Sequence, residues 1–252
     1  MGERANTGGG AHPRALEGQV VLVTGAAKRI GRAIALDLAA QGAQVAVHYR
    51  GSEEDARRTA DEIGGRSFQA NLSETTEIAD LFDRVKESYG RLDCLVNNAA
   101  QYFRTPIEEA TESDWDRLHT SNLKATYFCC QAAAKIMRAQ GDGRIVNLSS
   151  MGGVRAWSGY AIYNASKAGV IHLTRSLAKE LAPQIQVNTV APGVIEFSDD
   201  HAPEIERMIA NTPMRTHGTG DDIAQAVRFF LTGPKFITGQ LLTVDGGLTL
   251  RT

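Results

Sequence analysis

Seven short runs rich in Val, Ile and Leu recur along the chain from Gln19 onward, and longer stretches with helical periodicity separate them. The apolar runs read QVVLVT, AQVAVHY, RSFQA, LDCLVN, GRIVNLS, IQVNTV and QLLTVD, and the helical stretches lie near residues 29–41, 53–63, 75–90, 112–139, 160–182 and 220–231. Runs that are apolar on both faces are typical of a parallel sheet that helices cover on each side. We therefore expect a single α/β domain, built on a doubly wound, parallel, seven-stranded sheet with helices on both faces, that binds its ligand at the carboxyl ends of the strands.

The overall composition points to a small-molecule partner. The chain has 27 basic and 29 acidic side chains among 252 residues, so neither a nucleic-acid-binding surface nor a polybasic membrane patch is expected. Its cysteines, Cys94, Cys129 and Cys130, form no CxxC pair, and its six histidines lack metal-ligand spacing, so we expect no disulfide framework and no metal site. A reducing cytoplasm fits this cysteine usage best.

Two segments fall outside the alternation. Residues 1–18, MGERANTGGGAHPRALEG, carry a run of glycines and no apolar stretch, so we expect a disordered arm before one domain over residues 19–252. Residues 197–218 form a long connection of mixed polarity with Pro203 and Pro213. A long connection inside a compact domain is typical of a lid, and we expect a substrate lid here, with an inert insertion as the alternative. No apolar run reaches the length of a membrane span.

The stretch TGAAKRIGR, residues 24–32, joins the first apolar run to the first helix. Gly25 and Gly31 frame it as a turn before a helix N-terminus, whose backbone N–H groups and positive dipole favour a pyrophosphate. An ordinary tight turn between a strand and a helix would have the same glycines. The turn also carries Lys28 and Arg29 at a helix end that is already electropositive, which favours a role as counter-ions for bound phosphate.

Four motifs in order along the chain resemble those of the short-chain dehydrogenase/reductase family: TGAAKRIG, NNAA at 97–100, Tyr163-Asn-Ala-Ser-Lys167 and Pro192-Gly193. The resemblance extends from Val20 to Gly247. It implies a Rossmann-type fold, a nicotinamide dinucleotide cofactor and a homotetramer, with a dimer as the alternative.

The cofactor turn departs from the family's usual TGxxxGxG, because Arg29 replaces the middle glycine. Pteridine reductases, a subgroup of the family that typically uses NADPH, have a similar TGAAKR turn. After the second strand the chain reads HYRGS, with Arg50 where enzymes that prefer NAD commonly hold the ribose 2'-hydroxyl with an acid. We therefore expect NADP(H), with Lys28, Arg29 and Arg50 near its 2'-phosphate or pyrophosphate.

The resemblance assigns further cofactor contacts residue by residue. Asn71 stands where the family usually has an Asp near the adenine, and the side chain of Asn97 can either brace the neighbouring strand or touch the cofactor. The full expected cofactor site comprises Gly25, Lys28, Arg29, Ile30, Gly31, Tyr49, Arg50, Ser52, Asn71, Leu72, Asn98, Ala99, Tyr163, Lys167, Pro192, Gly193, Val194 and Ile195.

Tyr163 and Lys167 are four residues apart, so they lie on one face of a helix, about 6 Å from each other along its axis. A Tyr and a Lys often share a helix surface without any chemical role. Here, a nearby ammonium and the positively charged nicotinamide ring would lower the pKa of the phenol from its usual value near 10. Tyr163 could then pass a proton to a carbonyl oxygen as hydride arrives from the cofactor.

The resemblance completes a catalytic tetrad with Asn122 and Ser150. Ser150 lies thirteen residues before Tyr163, where its hydroxyl would bind the substrate oxygen, whereas strand alternation turns Ser149 to the other side. The family's asparagine at the position of Asn122 commonly holds a water molecule that connects the lysine to solvent.

The identity of the substrate is left open by these motifs. Tyr102 stands where pteridine reductases have an aromatic residue that stacks on the pterin, but Ser150 stands where they usually have an Asp. Because a serine suits a ketone oxygen, we expect reduction of a ketone or a 3-oxoacyl thioester, with Arg29, Tyr102 and Ser150 as substrate contacts. A pteridine reductase, acting on a heterocyclic substrate, is one alternative, and a non-catalytic NADP-binding redox sensor or scaffold is another.

Overall fold

A computed structural model describes residues 15–195 and 203–250, and the seven expected runs form one parallel sheet. The strands are β1 (Val20–Val23), β2 (Gln44–Tyr49), β3 (Arg66–Gln69), β4 (Cys94–Asn97), β5 (Gly143–Leu148), β6 (Ile185–Pro192) and β7 (Leu241–Val244). Their spatial order is β3-β2-β1-β4-β5-β6-β7, and every neighbouring pair is parallel. The predicted doubly wound α/β fold is confirmed.

The helices of the described chain are α1 (Arg29–Ala40), α2 (Glu53–Glu62), α3 (Thr75–Tyr89), α4 (Glu112–His119), α5 (Ala125–Gln140), α6 (Ala161–Leu181), α7 (Pro203–Asn211) and α8 (Gly220–Thr232). The stretch 112–139, predicted as one helix, is α4 and α5 joined by a π-helical turn at Thr120–Lys124. A short 3₁₀ turn, Met151–Gly153, follows β5, and another lies at Leu248–Leu250. No helix in this part of the chain is both long and apolar enough to cross a bilayer.

Both faces of the sheet are covered, as alternation along β1 shows. Val21 and Val23 pack on one face in a cluster with residues of α1 and α8, and Val20 and Leu22 pack on the other with residues of α3 and α5. Successive side chains of a strand point to opposite faces, so a strand buried on both sides must be apolar throughout. This is why the runs read as continuously hydrophobic.

The predicted disordered arm, residues 1–18, extends too far into the chain. Residues 1–14 lie outside the described residues, but Leu16 is fully buried in the α1 and α8 cluster, and its N–H donates to the Gln41 carbonyl at 3.0 Å. The domain therefore includes at least residues 15–18. Of the predicted lid, residues 197–202 lie outside the described part of the chain, and the rest contains α7.

The sheet order creates a crevice next to β1. From β1 the chain builds β2 and β3 on one side and then returns to β4 on the other. Connections that diverge in this way leave a gap above the carboxyl ends of the strands, which is where doubly wound sheets bind ligands.

Candidate active site

Two cavities open at the carboxyl edge of the sheet and share a wall. The first, here termed the turn cavity, has a volume of about 440 Å³ and is lined by Gly25, Lys28, Arg29, Ile30, Gly31, His48, Arg50, Ala70, Asn71, Leu72, Ser73, Asn98, Ala99, Ala100, Gln101 and Ser121. The second, the tyrosine cavity, has a volume of about 290 Å³ and is lined by Arg29, Ile30, Asn98, Ala100, Tyr102, Leu148, Ser149, Ser150, Trp157, Tyr163, Lys167, Pro192, Gly193, Val194, Ile195, Ile205 and Met208.

Nearly all the residues predicted for the site line one of these cavities, and three do not. Tyr49, predicted to contact the cofactor, packs in the core against the α1 face of the sheet. Ser52 precedes the first residue of α2, and Asn122 lies in the π-helical turn. The order and spacing of the motifs do not show which side chains point into a cavity. They therefore could not distinguish these three residues from the predicted residues that do line one.

The glycine turn is held from one side by Asn98. Its amide donates to the Thr24 carbonyl at 2.9 Å and to the Gly25 carbonyl at 3.1 Å. Gly25 has a φ of +64°, in the left-handed region that favours glycine. A side chain at Gly31 would overlap the Gly25 carbonyl oxygen, so α1 packs directly onto the turn. The two glycines are therefore required by conformation and by space.

Arg29 takes a backbone conformation that is unusual for an arginine. Its φ is +51°, in the same left-handed region, and it stands where the family's usual turn has a glycine. A residue with a side chain is disfavoured there by about 1–2 kcal/mol. Arg29 also lines both cavities. The chain thus keeps a strained backbone at the junction of the two cavities and places a guanidinium there.

Lys28, predicted as a counter-ion for phosphate, forms an ion pair. Its ammonium lies 2.7 Å from the carboxylate of Asp55 in the first turn of α2. A hydrogen bond from Lys28 is the main reason that the pKa of the partly exposed Asp55 lies below its usual value. Arg58 pairs with the same carboxylate at 2.6 Å. Asp55 therefore competes with any phosphate for Lys28.

His48 is a residue of the turn cavity that the motifs did not reveal. The Gly25 N–H donates to its Nδ1 at 3.0 Å, and its Nε2 lies 3.1 Å from the Ala70 carbonyl oxygen. Burial lowers the pKa of His48 to about 4, so the imidazole is neutral at physiological pH. The signal in the sequence is weak: a titratable residue that directly follows the apolar VAV of the AQVAVHY run.

Lys167 is buried in the tyrosine cavity, with 3% of its surface exposed. Its ammonium donates to the Leu148 carbonyl at the end of β5, at 2.9 Å. Burial disfavours the charged form and lowers its pKa to about 8. The lysine is thus charged at neutral pH but loses its proton much more readily than an exposed lysine.

The protein alone raises the pKa of Tyr163, whereas the predicted lowering depended on the nicotinamide ring as well as on the ammonium. Burial raises it above the usual value near 10, and a hydrogen bond with Ser150 opposes that shift only in part. A phenol that keeps its proton at neutral pH is suited to act as a general acid.

The hydroxyls of Ser149 and Ser150 make different hydrogen bonds. The Ser149 hydroxyl donates to the Lys167 carbonyl at 2.8 Å. The Ser150 hydroxyl accepts a hydrogen bond from the Gly152 N–H at 3.1 Å and so caps the 3₁₀ turn after β5. Both serines line the tyrosine cavity with Tyr163, but the Ser149 hydroxyl is taken up by the backbone of the helix that carries the lysine.

Asn122 is almost fully buried, and its side chain organises the segment after β4. The Gln101 N–H donates to its Oδ1 at 2.8 Å, and its Nδ2 donates to the Gln101 carbonyl at 3.0 Å. Nδ2 also lies 3.1 Å from the Ser166 hydroxyl on α6. These bonds explain why an asparagine occurs inside a helical stretch. They also link α6 to Gln101, which lines the turn cavity.

Aromatic rings form one side of the tyrosine cavity. The Tyr102 ring, with 57% of the residue exposed, stacks on Tyr160 with centroids 5.0 Å apart and an interplanar angle of 4°. It also meets the edge of Tyr163 at 4.9 Å. Trp157 packs against Tyr160 at 5.9 Å and lines the cavity. The predicted substrate contact at Tyr102 is thus placed beside the proposed proton donor.

The far side of the tyrosine cavity is formed by the turn after β6 and by α7. Pro192 and Gly193 line it, and the Gly193 N–H donates to the Val244 carbonyl at 2.9 Å. Ile205 and Met208 of α7 line it too. A helix inside the predicted lid therefore contributes apolar side chains to the cavity.

Two asparagines of the predicted cofactor region have different surroundings. Asn97 donates to Asn147 of β5 at 2.8 Å, so its side chain braces the neighbouring strand. Asn71 lines the turn cavity, and its Oδ1 accepts from the Ser73 N–H at 3.2 Å. The amide nitrogen of Asn71 takes no part in that bond, and the residue lies in the loop that follows β3.

No metal-ligating cluster of three or more His, Cys, Asp or Glu side chains occurs among residues 15–195 and 203–250. Cys94, Cys129 and Cys130 are buried free thiols. Burial raises the pKa of Cys94 and of Cys130 to about 12, so neither is reactive as a thiolate at neutral pH.

Known proteins resemble this chain over nearly its whole length. A family model described as Enoyl-(Acyl carrier protein) reductase matches residues 25–249. The 3-oxoacyl-[acyl-carrier-protein] reductase FabG of Staphylococcus aureus (strain Mu50) is 41% identical over 237 residues, which cover 90% of this chain and 96% of the relative.

Two solved structures share the fold. A short chain dehydrogenase from Burkholderia cenocepacia J2315, in complex with NADP, is 36% identical, with a TM-score of 0.88 over 93% of this chain and 99% of that chain. A 7α-hydroxysteroid dehydrogenase complexed with NADH and 7-oxo glycochenodeoxycholic acid is 33% identical, with a TM-score of 0.87 over 93% of this chain and 96% of that chain. These relatives favour a carbonyl reductase, and the alternative of a pteridine reductase is not supported.

Proposed function

The chain belongs to the short-chain dehydrogenase/reductase family, and we propose that it is an NADPH-dependent reductase of a carbonyl group, with a 3-oxoacyl thioester as substrate. The observation that carries the proposal is the buried pair Tyr163 and Lys167, which lies with Ser150 in a cavity that shares a wall with the glycine turn. A desolvated proton donor beside a buried lysine favours an enzyme over a redox sensor or scaffold.

The turn cavity fits a phosphorylated dinucleotide. Lys28, Arg29 and Arg50 line it, and none of its described lining residues is an Asp or a Glu. Cationic side chains stabilise the 2'-phosphate that distinguishes NADPH from NADH, whereas a carboxylate would repel it. When bound, NADPH supplies the hydride for the reduction.

The tyrosine cavity supplies the proton. The carbonyl carbon of the substrate takes up the hydride, and its oxygen takes a proton from the Tyr163 hydroxyl, so that an alcohol forms. Ser150 donates a hydrogen bond to the same oxygen and orients it. The phenolate left on Tyr163 is stabilised by the ammonium of Lys167, which is charged below about pH 8.

Reduction of a carbon–carbon double bond is the second candidate, because the matching family model is described as an enoyl reductase. Ser150 argues against it: a hydroxyl that binds and orients an oxygen has a direct use at a carbonyl. The Staphylococcus aureus relative, which is 41% identical, is named as a 3-oxoacyl reductase, and this name also favours a carbonyl substrate.

The proposal is tested by NADPH oxidation with the purified protein and three substrates: acetoacetyl thioester, crotonyl thioester and a dihydropterin. NADH replaces NADPH in a parallel series. We expect turnover of the acetoacetyl thioester and a higher kcat/KM with NADPH. Turnover of the crotonyl thioester alone would establish an enoyl reductase instead, and equal efficiency with NADH and NADPH would contradict the cofactor assignment.

We also propose a homotetramer in a reducing cytoplasm. Large apolar side chains are exposed near the edge strand β7 and around α4 and α5; they are Phe229, Phe236, Leu242 and Leu250 in the first group and Ile107, Trp115 and Tyr127 in the second. Such side chains favour association between copies of the chain. Light scattering after size exclusion should give the mass of four chains, with a dimer as the alternative, and a monomer would contradict this assembly.

A further inference from the structure

His48 lies between two walls of the turn cavity. It is the second-last residue of β2, which pairs with β1 on one side and β3 on the other. Its ring reaches the glycine turn after β1 through Gly25 and the loop after β3 through Ala70. With 2% of its surface exposed, the residue lines the cavity from within the sheet edge.

The two hydrogen bonds determine the tautomer of the ring. Because the Gly25 N–H can only donate, Nδ1 must carry a lone pair. Because the Ala70 carbonyl can only accept, Nε2 must carry the proton. The neutral Nε2–H tautomer is the one form of the ring that satisfies both partners.

His48 holds the glycine turn by its backbone as well. The Ala26 N–H donates to the His48 carbonyl at 2.9 Å, so two successive amides of the turn bond to one residue. Asn98 binds the Gly25 carbonyl from the other side at 3.1 Å. The left-handed Gly25 residue is thus held at its N–H by His48 and at its carbonyl by Asn98.

We propose that His48 is a positioning residue for the dinucleotide, which acts by fixing the glycine turn through its bond with the Gly25 N–H, while its bond to the Ala70 carbonyl sets the tautomer that can accept from that N–H. This inference rests on the proposed function. Since His48 donates no proton to the substrate in this scheme, its loss should weaken cofactor binding and leave the chemical step intact.

A matched pair of variants separates this role from a general structural one. In His48→Asn the side-chain oxygen stands near the position of Nδ1 and can still accept from the Gly25 N–H. In His48→Gln the amide nitrogen stands near the position of Nε2 and can still donate to the Ala70 carbonyl. Each variant loses one buried hydrogen bond, so both should unfold at lower temperature than the wild type.

Direct titration of each purified variant with NADPH, by nicotinamide fluorescence, gives the dissociation constant. We expect His48→Gln to bind NADPH roughly tenfold more weakly, as for one lost hydrogen bond, and His48→Asn to stay within about threefold of the wild type. The kcat at saturating NADPH should be the same in all three proteins. As a control, Thr174→Val removes a buried hydrogen bond from Asn147 outside both cavities and should lower the unfolding temperature without changing NADPH affinity.

The ring itself is observed by ¹⁵N NMR, where we expect the signature of a neutral Nε2–H imidazole. Equal affinities of the Asn and Gln variants, or a loss of kcat in either, would overturn the positioning role while leaving the proposed function in place. A wild-type protein that binds no NADPH would instead remove the proposed function and this inference with it.

Discussion

The two halves of the site use their polar groups in opposite ways. In the turn cavity, hydrogen bonds hold the backbone of Gly25 to the side chains of His48 and Asn98. The cationic side chains of Lys28, Arg29 and Arg50 line the same cavity. In the tyrosine cavity, Tyr163 and Lys167 are desolvated, which raises the pKa of one and lowers that of the other. One half is built to hold a charged ligand in place, and the other is built to move a proton. Changes in each half should therefore affect different kinetic constants.

The largest expected effect belongs to the proton-transfer half. Tyr163→Phe removes the hydroxyl that protonates the substrate oxygen, so we expect kcat to fall by roughly 10³-fold. Affinity for NADPH, measured by fluorescence titration, should stay within about twofold of the wild type because the turn cavity is untouched. A variant that keeps the wild-type rate would show that another group donates the proton.

Acid should lower the stability of the folded chain through His48 in the turn cavity. Its pKa is about 4 in the folded chain and 6.5 in an unfolded one, so the unfolded state binds more protons between these values, and stability is lost as the pH falls from 6.5 towards 4. Between pH 7.5 and pH 5 we expect a loss of about 2 kcal/mol from this residue, measured by urea unfolding. His48→Asn should lack that component, and an identical pH dependence of the two proteins would contradict it.

Arg29 lies where the two halves meet, so its replacement shows which half it serves. For Arg29→Ala we expect KM for NADPH to rise roughly tenfold, as for loss of a charge-assisted hydrogen bond, and KM for NADH to change little. Arg29→Gly is the matched control: it loses the same charge but relieves the left-handed strain, so it should be more stable than Arg29→Ala by about 1 kcal/mol. Equal changes in both KM values would assign a structural role to Arg29.

The smallest expected effect comes from Asp55, which holds the exposed Lys28 in a partly exposed ion pair. Asp55→Asn should free the ammonium for phosphate and lower KM for NADPH by roughly twofold, since exposed pairs are weak. KM for NADH is the internal control. A rise in KM for NADPH would mean that Asp55 positions Lys28 for the cofactor instead of competing for it.

Much of the fold and the site could be predicted from local patterns. The seven strands were visible because a strand buried on both faces is apolar throughout, as VVLV in β1 is. The positions of Tyr163 and Lys167 in one cavity follow from their spacing on α6. Strand alternation alone did not separate the two serines, because both line the tyrosine cavity; their hydrogen bonds separate them.

Features that depend on tertiary contacts could not be predicted. His48 bonds to Gly25, 23 residues away, and to Ala70, 22 residues away, and no local pattern encodes that meeting. The direction of the Tyr163 pKa shift depends on how deeply the ring is buried, which spacing does not give. Tyr49 was expected at the cofactor but packs in the core, because a strand end alone does not reveal which face a side chain joins.

The most direct test of this division of labour is a single turnover with NADPH that carries deuterium at the transferred position, with acetoacetyl thioester as substrate and mass spectrometry of the product. We expect the wild type to place one deuterium on the carbon that bears the new hydroxyl group. Tyr163→Phe should bind the labelled cofactor equally well and form almost no product in the same time. Product without deuterium, or labelled product from Tyr163→Phe at the wild-type rate, would contradict the account.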